Sequence, residues 1–151
     1  SSLNSTYGSD YKHLQLRFVA RTTAGSTNDN FRIRINGDSG SNYAAHRLTG
    51  NGSSVGSNGY SSEDYMRNLG VLPAASSTAN VFNGAVLDVL DALSTSKNTT
   101  VRAFSGMTDD NLLNLASGLW NNTAAVDSIV IDGLSGSFVA GSRFSLYGIR
   151  G

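Results

Sequence analysis

The stretch "FRIRIN", residues 31–36, alternates large apolar and basic side chains without a break. Phe31, Ile33 and Ile35 fall on one side of a period-two repeat, and Arg32 and Arg34 fall on the other. A helix would spread these residues around its circumference, whereas a half-buried strand separates them into a dry face and a wet one. The segment "YKHLQLRFVAR", residues 11–21, repeats the pattern: Leu14, Leu16, Phe18 and Ala20 oppose His13, Gln15, Arg17 and Arg21. These two segments commit the chain to a sheet that buries one side.

The rest of the sequence reads in the same period. "GDSGSN" is a turn built of residues that tolerate left-handed backbone, and "YAAHRL" after it is expected to return as the hairpin partner of "FRIRIN". Residues 49–64, "TGNGSSVGSNGYSSED", carry four glycines and few anchors for a core, so an exposed loop or excursion is expected there. "YMRNLGVL" ends at Pro73 and reads as a strand. "ANVFNGAVLDVLDAL" is ambiguous, since Val86, Leu90 and Leu93 also fit a helix, but Gly84 and the neighbouring strands favour a strand. "VRAFSG", the stretch from Leu113 to Trp120, "DSIVID" and "RFSLYGI" complete the set. In the last of these, Phe144, Leu146 and Gly148 face one way while Arg143, Ser145, Tyr147 and Ile149 face the other.

About eight to nine short strands, separated by turn signals roughly every 8–15 residues, predict an all-β fold: a jelly-roll-like antiparallel β-sandwich. Residues 1–10, "SSLNSTYGSD", are expected to form an N-terminal arm, with residues 11–151 as one sandwich domain. Leu3 and Tyr7 are the arm's main apolar content, and the arm is expected to order on a neighbouring molecule.

Composition narrows the function. Eleven basic and eleven acidic residues cancel, so no field of one sign draws in nucleic acid or an anionic membrane. No apolar run is long enough to cross a bilayer as a helix. Cysteine is absent, which removes disulfides and thiolate metal sites. Neither a P-loop nor a row of aromatics sharing a strand face with basic residues is present, and no cofactor is expected.

Catalytic constellations fare poorly as well, and no enzyme activity is expected. Gly52-Ser53-Ser54-Val55-Gly56 matches G-x-S-x-G, yet a nucleophile elbow needs a buried strand before it and a helix after it. His13 and His46 have no second metal ligand at a useful spacing. The carboxylate pairs Glu63/Asp64, Asp88/Asp91 and Asp109/Asp110 diverge if they lie on strands, so they read as surface and turn groups. "NGDSGSN" lacks the spaced acids of an EF-hand loop. Sequons at Asn4, Asn51, Asn98 and Asn121 arise by chance in Ser/Thr-rich loops. Trp120 and the six tyrosines are scattered, which favours burial or subunit contact over a sugar-stacking platform.

Five ordered segments carry a resemblance. They are "YKHLQLRFVAR", "FRIRINGDSGSNYAAHRLTGNG", "LSTSKNTTVRAFSG", "SGLWNNTAAVDSIVI" and "GSFVAGSRFSLYGI", which together run from about Tyr11 to Ile149. Their pattern resembles small virion structural proteins of tailed bacteriophages, with the arm and residues 53–64 departing most. The resemblance implies a jelly-roll-like sandwich in the virion that acts as a capsid cement or decoration protein. It implies partners in the major capsid protein and in copies of itself, most often as a homotrimer. A tail- or head-fibre module that recognises host glycan is the alternative it leaves open, and a glycan depolymerase is a more distant one. Leu3, Tyr7, Tyr60, Tyr147 and Arg150 are the residues expected at partner or subunit contacts.

Overall fold

The structure is a computed structural model that describes residues 2–4 and 10–151, with side chains described from residue 10 onward. The chain is all-β, with 58% of it in strands and 2% helical. Among the described residues eleven strands form, two or three more than the sequence suggests: β1 (Ser2–Asn4), β2 (His13–Ala20), β3 (Asn28–Ile35), β4 (Tyr43–Gly50), β5 (Val55–Glu63), β6 (Met66–Pro73), β7 (Asn83–Leu90), β8 (Thr99–Met107), β9 (Leu112–Trp120), β10 (Ser128–Gly133) and β11 (Arg143–Ile149). A 3₁₀ turn, Thr108–Asp110, joins β8 to β9.

The strands form two sheets, of order β1-β10-β3-β6 and β11-β2-β7-β8-β9-β4-β5. Their connectivity is nested. β2, β3 and β4 pair on one side with β7, β6 and β5, and on the other side with β11, β10 and β9. Each of these pairs is antiparallel, as in a long hairpin rolled up on itself, the principle that underlies jelly rolls. The meander β7-β8-β9 then joins the two nested sets into one wide sheet.

Two sequence expectations fail here, each for a physical reason. β4 does not pair with β3: β3 lies in the four-stranded sheet and β4 in the seven-stranded one. The intervening turn crosses between the layers instead of closing a hairpin. Asn36 and Gly37 both take positive φ, at 52° and 67°, and turn the chain sharply away from β3. Tyr43 then faces the interior, where its hydroxyl accepts the Ile35 N–H at 3.0 Å and lies 3.2 Å from the Asp38 carbonyl. The Trp120 indole N–H donates to the Asp38 carboxylate at 2.7 Å and fixes the crossing from the other side. That bond, with those from the Asn42 amide and the Gly40 N–H, holds the Asp38 carboxyl below its ordinary range.

The second failure is the glycine-rich segment. Residues 55–63 are a strand, β5, at the edge of the wide sheet, where a loop is expected. A ladder with β4 needs only backbone groups, so Gly and Ser can fill it without contributing to a core. β5 is exposed along nearly its whole length.

The core lies where the alternation puts it. Leu14, Leu16, Phe18, Phe31, Ile33, Ile35, Leu87, Val89 and Val101 are all buried. Phe18 meets Phe31 edge-to-face at 5.0 Å and stacks on Phe144 at 5.3 Å, which ties β11 to the interior. The narrower sheet ends in β6, which crosses mainly over β8, β9 and β4. The layers approach closely at this crossing because the floor is made of small residues: Ala103, Ser105, Ala116 and Gly118. A Cβ on Gly118 would come 2.1 Å from the Met66 sulfur, and one on Gly70 would come 2.2 Å from the Phe31 ring.

Candidate functional site on the outer face of the wide sheet

The close crossing has a consequence on the opposite side of the sheet. Strand β8 turns Val101, Ala103 and Ser105 inward, so Phe104 points to solvent. Strand β9 turns Asn114, Ala116, Gly118 and Trp120 inward, so Leu113 and Leu115 point out. From Leu113 to Leu115 the usual polar-out pattern is inverted on this strand.

Strand register lines these residues up. Val86 lies opposite Phe104, Phe104 opposite Leu115, and Leu115 opposite Leu48, so one apolar row crosses β7, β8, β9 and β4. Leu113 and Val55 extend the apolar surface in the next row, through Gly50. Phe104 is 43% exposed, Leu48 50% and Leu115 51%. Scattered exposed apolar residues are ordinary, but a contiguous row is not. Each half-exposed Leu or Phe forfeits roughly 1 kcal/mol relative to full burial. The row together therefore forfeits several, which matters against a typical domain stability of about 5–15 kcal/mol.

Around the row the surface is shallow. A dimple of about 150 Å³ lies among Val86, Phe104 and Leu115. A second hollow of about 390 Å³ lies beside Leu48 and Leu115. The next row is polar and runs Tyr147, Gln15, Asp88, Arg102, Ser117, His46. Within it Asp88 accepts from the Gln15 amide at 2.7 Å and the Arg102 guanidinium at 2.8 Å. Burial pushes the Asp88 carboxyl up, and these two donors more than offset it, so the group sits below its ordinary value. An apolar strip bordered by a neutralised ion pair has the make-up of a protein-binding surface, with an apolar centre and a polar rim.

The five contact residues named from the sequence are not brought together. Leu3 lies on β1, whose backbone pairs with β10, Leu3 opposite Ile129. Tyr7 lies outside the described residues. Tyr147 sits on β11 with the Arg17 guanidinium 5.3 Å from its ring centre, on the outward face but three strands from Phe104. Tyr60 sits at the far edge on β5 and packs under Arg67 at 5.0 Å. Arg150 is exposed beyond β11. The apolar row was legible only in part, as the large residues Phe104, Leu113 and Leu115 beside small or polar neighbours. Its side of the sheet could not be read, because the Asn114 side of β9 looks like the wet one.

The residues weighed for catalysis are also dispersed. Asn51 accepts hydrogen bonds from the Ser53 and Ser54 hydroxyls at 3.1 Å, in a turn that enters β5 with no helix after it. His13 accepts the Asp91 N–H through Nδ1 at 2.9 Å, and His46 is exposed on β4. Glu63 faces Arg67 and Asp64 faces Arg34. Asp91 pairs with Lys97, and Asp109 accepts from Ser77 and Thr78. Among the described residues, no group of three or more His, Cys, Asp or Glu could hold a metal ion.

A different concavity, an open groove of about 630 Å³, lies on the narrow-sheet side and is lined by Thr23, Arg32, Asp132 and the loop from Gly133 to Phe138. Buried Asp29 holds that loop by accepting the Ser135 and Gly136 N–H groups at 3.2 and 3.1 Å. No protein-family model, curated protein or solved structure matches the chain.

Proposed function

We propose that the chain is a structural binding module of a bacteriophage virion, a capsid cement or decoration protein. It would contact the major capsid protein through the outer face of the wide sheet. The observation that carries a protein-binding role is the in-register row Val86, Phe104, Leu115 and Leu48, bordered by a polar row in which Asp88 and Arg102 pair with each other. Support for the virion setting comes from the five-segment resemblance. Cementing requires only that the module bind the assembled shell in preference to free subunits, since linkage then favours assembly.

The test is occupancy on purified shells. Phe104→Asp with Leu115→Asp is expected to abolish decoration while the free protein keeps its β-sheet circular dichroism. Full occupancy by a folded double variant would remove this surface from the proposal.

Host-glycan recognition is the second reading, and the groove with Arg32, Asp132, Ser135 and Ser137 along it favours it. Those side chains supply both donors and acceptors for sugar hydroxyls. Binding on a glycan array that is lost on Asp132→Ala, combined with a tail-tip location of the chain, would decide for this reading.

A further inference from the structure

The sheet edges are not treated alike. β6, the edge of the narrow sheet, has its free backbone groups satisfied by side chains from the opposite sheet. Ser105 Oγ accepts the Val71 N–H at 2.9 Å, Asn114 Nδ2 donates to the Leu69 carbonyl at 3.2 Å, and Asn83 Nδ2 donates to the Val71 carbonyl at 3.0 Å. β6 is further guarded by Pro73 and by an irregular register opposite β3. β1 spans only three residues. β11 begins on Arg143 and is followed by Arg150.

β5 carries such devices only at its Glu63 end, where the register shifts and Ser62 takes a positive φ of 57°. It is nine residues long, contains no proline and has no charge before Glu63. From Val55 to Tyr60 it pairs with Gly50 to Ala45 one for one, and its irregularity is confined to the Glu63 end. Among the described residues, the backbone bonds that tie turns and loops together do not reach 55–63. The uncharged, regularly paired stretch from Val55 to Tyr60 is an open template for another strand.

We propose that β5 pairs antiparallel with β5 of a second copy about a two-fold axis, with Ser57 opposite its own copy. Three features select a copy over an unrelated strand. Residues 55–62 carry no charge, so self-pairing opposes no like charges, whereas a strand chosen by charge would need a charged edge to read. In this register Val55, 70% exposed, lies beside Gly59 of the copy, where the absent side chain leaves it room. Ser57 is in register with Leu48, so the apolar row of one molecule runs on through Ser57 into that of the other. The inference does not rest on the virion reading, because it concerns an edge and not a face.

The test is the association state of the full chain. The wild type is expected to sediment as a dimer. Ser57→Lys alone and Ser57→Glu alone are each expected to be folded monomers, because like charges then face each other across the axis. An equimolar mixture of the two is expected to recover the dimer. Because the chain has no cysteine, crosslinking is clean. Ser57→Cys should form a disulfide-linked dimer under mild oxidation. Val55→Cys and Gly59→Cys should link to each other when mixed, and neither should link alone. A wild type that sediments as a monomer, a trimer that yields no Ser57→Cys crosslink, or Ser57→Lys that still associates would each overturn the proposal.

Discussion

The Asn114 side-chain amide donates to the Leu69 carbonyl at 3.2 Å, and both residues are buried. This bond, with that from the Val71 N–H to Ser105 Oγ, seals the β6 edge from the facing sheet. It also settles which way β8 and β9 present their side chains. With Ser105 and Asn114 inward, Phe104, Leu113 and Leu115 have to point out, because side chains alternate along a strand. The apolar outer face and the sealed inner edge are two sides of one register.

Breaking the seal should be costly. Asn114→Ala leaves the Leu69 carbonyl unpaired in the core, and Ser105→Ala does the same to the Val71 N–H. Each is expected to destabilise the fold by about 1–3 kcal/mol, the cost of an orphaned buried polar group. Urea unfolding should show a lower midpoint with an unchanged slope. A loss no larger than that of an exposed-site control would mean that these bonds do not matter.

The close crossing of β6 predicts strong size limits. Gly70→Ala drives a methyl to within 2.2 Å of the Phe31 ring and 2.6 Å of Ser105 Oγ, neither of which can swing away in a packed interior. Overpacking of this kind costs about 1–3 kcal/mol. Gly84→Ala is the control, since nothing lies within 4 Å of its added carbon. Thermal unfolding should separate the two variants clearly, and equal melting temperatures would argue against a tight crossing.

Binding and stability should separate on the outer face. Phe104→Asp and Leu115→Asp alter residues that are 43% and 51% exposed, and the loss per site should stay below about 1 kcal/mol, the span of strand propensity. Burying the same polar group at Val101 or Ala116, which are 2% and 8% exposed, should be far more damaging. Chemical denaturation of the four variants checks this. Unfolding of Phe104→Asp would mean that the side chain is structural.

Acid should loosen the turn between the sheets. Trp120, Asn42 and Gly40 hold Asp38 below its ordinary value, so its contribution is present above the unfolded carboxyl value of about 3.9. That contribution is lost as pH falls through the lower, folded value. Asp88, held by Gln15 and Arg102 against the opposing effect of burial, shifts in the same direction. Stability of the wild type should therefore fall below about pH 4, and Asp38→Asn should flatten part of that fall. Melting temperature followed from pH 7 to pH 2, with Trp120 fluorescence as a local probe, tests the sign; a variant that tracks the wild type throughout would remove Asp38 as the cause.

The sequence by itself determined the strands whose alternation is pure. In β2 from Leu14 to Phe18 and in β3 from Phe31 to Ile35 every second residue is large and apolar, and only one side of such a strand can be buried, so both the element and its inward face follow without tertiary information. It also determined that the fold is an antiparallel sandwich, because short strands and turn-rich links leave few other ways to cover so many half-apolar faces. Only the tertiary structure decided the rest. β4 joined the opposite sheet from β3 because the Tyr43 hydroxyl and the Trp120–Asp38 bond lie across the interior, a relation between residues up to 82 positions apart. β5 became a strand because β4 offered it a backbone ladder, and a ladder leaves no mark in side-chain pattern. β9 turned Leu113 and Leu115 outward because the β6 edge needed a buried amide and a floor of small residues more than it needed apolar bulk. Local alternation fixes where a strand can bury a face; which neighbour needs its polar side is a long-range condition, written in the packing between sheets.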